Sequence, residues 1–162
     1  MNAYNDFCLK ISSNQIKKWN LILFAVVFNL LLSLLFSFIS HSVLNKTISE
    51  GFKNNLGSSL REQAIWIIIV GPFFETLLYQ YAIIETANKK LTPFISCIIS
   101  AFLFGLSHTY NVLYFVFAFI TGFIFSTIYY IGSITKRGIF YTFLAHSIYN
   151  GIAFILNAVF NS

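Results

Sequence analysis

The chain has 162 residues, 57% of them hydrophobic and only 9% charged, whereas an ordinary soluble domain carries about a quarter charged residues. Its net charge of +5 is spread as short basic flanks beside apolar runs and forms no single patch, which excludes nucleic acid as a partner. What remains is an all-α polytopic membrane bundle.

In chain order, a polar N-terminal arm over 1–18 is expected to lie at the surface, and the bundle is expected to occupy 19–162 as one domain. The first apolar run, 19–43, is too long for a signal-peptide core and follows a long polar stretch with no small-residue cleavage site, so it reads as a retained anchor. The segment 41–61, rich in Asn, Ser, Gly and Lys, is the one long connection and is read as a linker. Further runs at 64–87, 92–108, 112–132 and 138–160 are each about as long as a hydrocarbon core of about 30 Å requires, which predicts five spanning helices. Thr92 followed by Pro93 is a cap and first-turn signal for the third of them.

Lys10, Lys17, Lys18, Lys89, Lys90, Lys136 and Arg137 fall on one side of this topology, and Lys46, Lys53 and Arg61 on the other. The positive-inside bias therefore predicts a cytoplasmic N-terminus and an external C-terminus. Cys8 and Cys97, one in the arm and one in a helix, suggest neither a disulfide framework nor a thiolate metal site.

Polar residues inside the apolar runs are costly and therefore candidates for function. Glu75 sits near the middle of the second helix, where an unpartnered ionised acid costs several kcal/mol. His146 and Asn150, four apart, share one helix face, as do Phe104 and His108. A carboxylate and two imidazoles from three helices could thus converge on one water molecule. Plainer roles stay open: Glu75 as a protonated acid bonded to a neighbouring helix, His108 as an interfacial residue, and His146 with Asn150 as hydrogen-bonding glue between helices. Glu85 and Lys89 read as a surface ion pair and His41 as interfacial. Depth poses a problem, because a straight helix starting at Thr92 carries His108 well beyond the level of Glu75 and Asn150.

Across residues 71–150 these segments resemble the CAAX prenyl protease and bacteriocin-processing family of intramembrane proteases, also called CPBP or Abi. That family carries Glu-Glu-x-x-x-Arg, then Phe-x-x-x-His, then His-x-x-x-Asn or Asp, on separate helices. Here the second motif runs from Phe104 to His108 and the third from His146 to Asn150; both match. The first begins at Glu75, with Pro72 just before it, but Thr76 stands for the family's second Glu and Gln80 for its Arg. Residues four apart are helix neighbours, so a charged pair is replaced by two neutral residues that are expected to hydrogen-bond to each other.

The resemblance implies an intramembrane endopeptidase in which Glu75 is the general base, His108 binds and polarises the water, and His146 with Asn150 stabilises the oxyanion, as peptide hydrolysis requires. Thr76, Gln80 and Phe104 are supporting residues. No cofactor is favoured; the competing scheme places zinc on Glu75, His108 and His146. The implied partners are membrane lipid and a membrane-associated peptide, prenylated or a leader, in a bacterial cell membrane. Two other classes remain: a non-catalytic bacteriocin self-immunity protein, to which the altered first motif points, and a proton-coupled transport component. Oligomeric state and substrate identity cannot be read from the sequence.

Overall fold

A computed structural model describes residues 3–15, 18–44, 59–109 and 111–160. Most of the linker expected at 41–61 lies outside them, as do Lys17, Lys46 and Lys53. The described residues form helices and no strand, a π-wound stretch Ile11–Gln15 continuing the first helix. We label them α1 (Ala3–Lys10), α2 (Lys18–Leu44), α3 (Leu60–Ala87), α4 (Pro93–Leu106), α5 (Val112–Ser133) and α6 (Gly138–Phe160).

Four of these, α2, α3, α5 and α6, are long and apolar enough to cross a membrane, and the protein is an integral membrane helix bundle. Leu23, Leu31, Leu34 and Phe38 on α2 are exposed, as are Trp66, Ile69 and Phe74 on α3. Such faces suit lipid, whereas the opposite face of α2 buries Ile22, Ala25, Val26 and Phe36 against Phe117, Phe125, Tyr141 and Ala145.

The fifth expected span differs. α4 has 14 residues, about 21 Å of helix, and cannot cross 30 Å of hydrocarbon. It starts as expected: the Thr92 hydroxyl accepts from the Ile95 N–H at 3.5 Å and Pro93 occupies the first turn. It ends at Leu106, two residues before His108. Its inner face is small, with Ser96, Cys97, Ser100, Ala101 and Gly105 buried, which lets α5 approach closely. At the crossing, a Cβ on Gly122 would lie 2.9 Å from Phe104 Cδ1 and 3.2 Å from the Ala101 Cα.

The N-terminal arm is not a loose surface segment. α1 docks on α4 and α5: the Tyr4 hydroxyl donates to Thr127 Oγ1 at 3.1 Å, and Cys8, Ile11 and Ile131 form a small apolar cluster. Burial pushes the Cys8 thiol up to about 11, so it stays protonated at neutral pH and inert.

α3 is wound unevenly. A capping box starts it, with Glu62 N–H donating to Ser59 Oγ and Ser59 N–H to Glu62 Oε2. Two stretches, Trp66–Val70 and Thr76–Ile83, then open into wider π turns. Pro72 explains much of the first. The Gly71 N–H reaches back to the Trp66 carbonyl, and the next carbonyl, Ile67, would need an N–H at residue 72, which proline lacks. Asn150 Nδ2 donates to that oxygen across the helix interface at 2.9 Å. At the end of the second stretch the Ile84 N–H goes to the Gln80 and Tyr81 carbonyls. The Tyr79 carbonyl, which the Ile84 N–H does not reach, accepts from Ser100 Oγ of α4 at 2.9 Å. Each irregularity is thus sealed by a side chain from another helix, as hydrocarbon surroundings demand.

α5 and α6 are joined by a tight turn. The Arg137 N–H bonds the Gly132 carbonyl and the Lys136 N–H that of Ser133, both at 2.9 Å. This is a Schellman cap, whose left-handed position usually holds glycine. Here it is Lys136, at φ 57°, a choice that costs about 1 kcal/mol. Gly138 allows the helices to meet: a Cβ there would sit 2.7 Å from the Tyr129 carbonyl oxygen.

Candidate active site

Glu75 stands on α3 between the two π-wound stretches. Its Oε2 lies 3.6 Å from His146 Nε2 of α6, with the carboxylate side chain 31% exposed and the imidazole 4%. That separation is just longer than a hydrogen bond, a spacing common at catalytic pairs before substrate binds. Gly71 sits one turn before it, and a Cβ there would be 3.9 Å from Glu75 Oε1; with no side chain at 71, that oxygen has open space beside it.

His146 is fixed by packing. Its ring stacks on Phe125, with centroids 4.5 Å apart, and meets the edge of Phe104 at 6.0 Å. Phe104 in turn lies under His108, at 4.6 Å. One aromatic ring therefore backs both imidazoles, and it is held from behind by Gly122. Residues Glu75, Phe104, His108 and His146 are brought together from three helices.

His108 is oriented by the end of α4. Its Nδ1 lies 2.8 Å from the Phe104 carbonyl oxygen and 3.0 Å from Ser107 Oγ. A carbonyl only accepts, so the network assigns the proton to Nδ1 and, in the neutral ring, leaves a lone pair on Nε2. The shortness of α4 also removes the depth problem. α4 ends at Leu106, and His108, in the turn that follows, lies against the Phe104 ring that also meets His146, so His108 emerges beside the Glu75–His146 pair.

Asn150 lies one turn beyond His146, but one of its amide hydrogens is committed to the Ile67 carbonyl. It joins α6 to α3, the role of interhelical glue. Thr76 and Gln80 are both fully buried, yet their expected hydrogen bond is not made: Thr76 Oγ1 and both polar atoms of the Gln80 amide have no partner among the described residues. The π winding explains the correction, because residues five apart, not four, are linked along Thr76–Ile83. The Glu85–Lys89 ion pair is likewise absent among the described residues; Glu85 Oε1 accepts instead from the Tyr129 hydroxyl at 2.8 Å. No group of three or more His, Cys, Asp or Glu among the described residues is arranged to hold a metal ion.

Ser100, Phe125 and Gly122 support the site and were not singled out from the sequence. Ser100 Oγ lies 2.7 Å from Ser126 Oγ as well as bonding Tyr79. For Ser100 and Gly122 the signal is a row of small residues at helical spacing in α4 and α5; Phe125 carries no such signal.

The fold is that of an integral membrane helix bundle with a carboxylate and two imidazoles gathered from separate segments. The chain belongs to the family described as type II CAAX prenyl endopeptidase Rce1-like, whose model matches residues 58–152. The match covers the site from the start of α3 to just past Asn150. No curated protein and no solved structure matches the chain.

Proposed function

We propose that this protein is an intramembrane endopeptidase that hydrolyses a peptide bond in a membrane-associated peptide. The observation that carries this reading is the approach of Glu75 to His146, 3.6 Å apart, in a bundle whose family is one of endopeptidases. Glu75 accepts a proton from water and delivers it to the leaving amine. His108 orients that water by accepting a hydrogen bond at Nε2, the nitrogen that the Phe104 carbonyl leaves free. His146 Nε2, facing the carboxylate, and the second amide hydrogen of Asn150 are the donors for the oxyanion. Thr76 and Gln80 act as buried filling beneath Glu75, in place of the charged pair usual at those positions in the resemblance noted above.

The reaction is proposed to need no metal. Were zinc used, Glu75, His108 and His146 would be the residues to hold it. The basic flanks favour a cytoplasmic N-terminus.

The test is cleavage of a lipid-anchored peptide by the purified, reconstituted protein. Glu75→Gln preserves shape and removes the base, so cleavage should vanish while insertion persists; His108→Ala should do the same, and chelators should leave the rate unchanged. Loss of activity in chelator that zinc alone restores would move the three residues into ligand roles. Unimpaired biological function of folded Glu75→Gln would favour a binding role such as self-immunity.

A further inference from the structure

A second opening lies apart from the Glu75 site, at the end of the bundle that carries the α5–α6 turn. It is an open groove of about 610 Å³ between α3 and the start of α6, a volume within the roughly 300–1,000 Å³ of small-ligand sites. Phe73, Tyr81, Phe140 and Phe143 wall it, and Lys136 and Arg137 stand at its mouth. Three of the wall residues are conspicuously open: Phe73 is 42% exposed, Tyr81 45% and Phe140 53%. Glu85 also lines the opening, with one carboxylate oxygen accepting the Tyr129 hydroxyl; its single negative charge is outnumbered by the two cations of Lys136 and Arg137. Among the described residues neither Lys136 nor Arg137 makes an ion pair, and both are exposed.

The cavity is therefore aromatic along its length and cationic at one end, with Lys89 and Lys90 exposed at the same end of the bundle. Its polarity is that of an amphiphile lying parallel to the helices with an anionic head at the surface. Lys136 adds a separate argument. It holds a left-handed backbone position that glycine would occupy without strain, so the turn itself gives no reason for a lysine there.

From this geometry we propose that the groove binds an anionic phospholipid, with the phosphate between Lys136 and Arg137 and an acyl chain along the aromatic wall. The site does not depend on the catalytic reading, since it shares no residue with the Glu75 cluster. Basic clusters between helices at a membrane surface bind acidic headgroups in the same way.

The full-length protein in neutral detergent is titrated with phosphatidylglycerol, with phosphatidylcholine and with inorganic phosphate, following its thermal midpoint. Phosphatidylglycerol should raise the midpoint to saturation, and the other two should not. Arg137→Gln and Lys136→Gly should each weaken phosphatidylglycerol about fivefold, the effect of one basic residue near a membrane surface. Lys136→Gly should also raise the lipid-free midpoint by about 2–4 °C, which separates loss of binding from loss of fold. An equal response to phosphatidylcholine, a response to phosphate alone, or unchanged affinity in both variants would overturn the proposal. A lower lipid-free midpoint for Lys136→Gly would overturn the argument from the turn.

Discussion

Removing the side chain of Asn150 isolates the contribution of a single hydrogen bond between α6 and α3. In Asn150→Ala the Ile67 carbonyl loses the donor at 2.9 Å, and neither nearby backbone N–H replaces it: that of Gly71 is committed to the Trp66 carbonyl, and residue 72 is proline. An unsatisfied carbonyl in an apolar setting costs about 1–3 kcal/mol, a factor of roughly 5 to 150 in the folding equilibrium. Pro72→Ala supplies the missing N–H. In that background Asn150→Ala should cost less than about 1 kcal/mol, an interaction energy of about 1–2 kcal/mol between sites 72 and 150. The cavity left by the buried proline ring is common to both arms and cancels. The four proteins would be compared by reversible unfolding in mixed micelles. An Asn150→Ala penalty that is the same with proline or alanine at 72 would refute the account of the π turn. Turnover adds a second reading: if the other amide hydrogen of Asn150 stabilises the oxyanion, Pro72→Ala/Asn150→Ala should be nearly as stable as Pro72→Ala yet remain on the order of 100-fold slow.

Gly122→Ala places a Cβ 2.9 Å from Phe104 Cδ1 and 3.2 Å from a backbone atom of α4, so it should destabilise by about 1–3 kcal/mol. Because the displaced ring backs both imidazoles, cleavage should fall further than the folded fraction does; a rate loss that merely tracks folding, measured on the same preparations, would count against that role for Phe104. Thr76→Val should be neutral or stabilising in the same micelle assay, since the hydroxyl it removes is fully buried and makes no hydrogen bond among the described residues. A loss of more than about 1 kcal/mol would reveal a partner for Thr76.

The parts of this fold set by composition were legible in the sequence: long apolar runs gave the helices, and intramembrane polar residues marked Glu75, His108 and His146. The Thr92–Pro93 start of α4 was legible for the same reason, as a local signal with a local cause. Its early end was not. The apolar run continues to Leu106 and into a turn, and hydropathy does not separate the last helical residue from the Ser107 that folds back onto the Phe104 carbonyl. The Thr76–Gln80 pairing failed because a spacing of four assumes regular α winding throughout. Pro72 stands close to Glu75 in the sequence, but its effect depends on the orphaned Ile67 carbonyl meeting a side chain 83 residues later. The docking of α1 was hidden because a polar arm reads as solvent-facing until Tyr4 and Cys8 find their partners on α4 and α5.

The uneven winding of α3 also bears on which changes in chain length the protein can absorb. Deleting one residue from a regular α-helix rotates everything beyond it by about 100°, enough to swing a carboxylate from a protein interior toward lipid. A π turn already contains one residue more than an α turn holds. A single deletion within Trp66–Val70 can therefore be taken up by tightening that turn, with Glu75 still aimed at His146. The same deletion within Gly71–Glu75, which is α-wound, has no such slack and would carry the carboxylate off its bearing. Length variation along this helix is thus tolerated by position, according to where the backbone holds a spare residue.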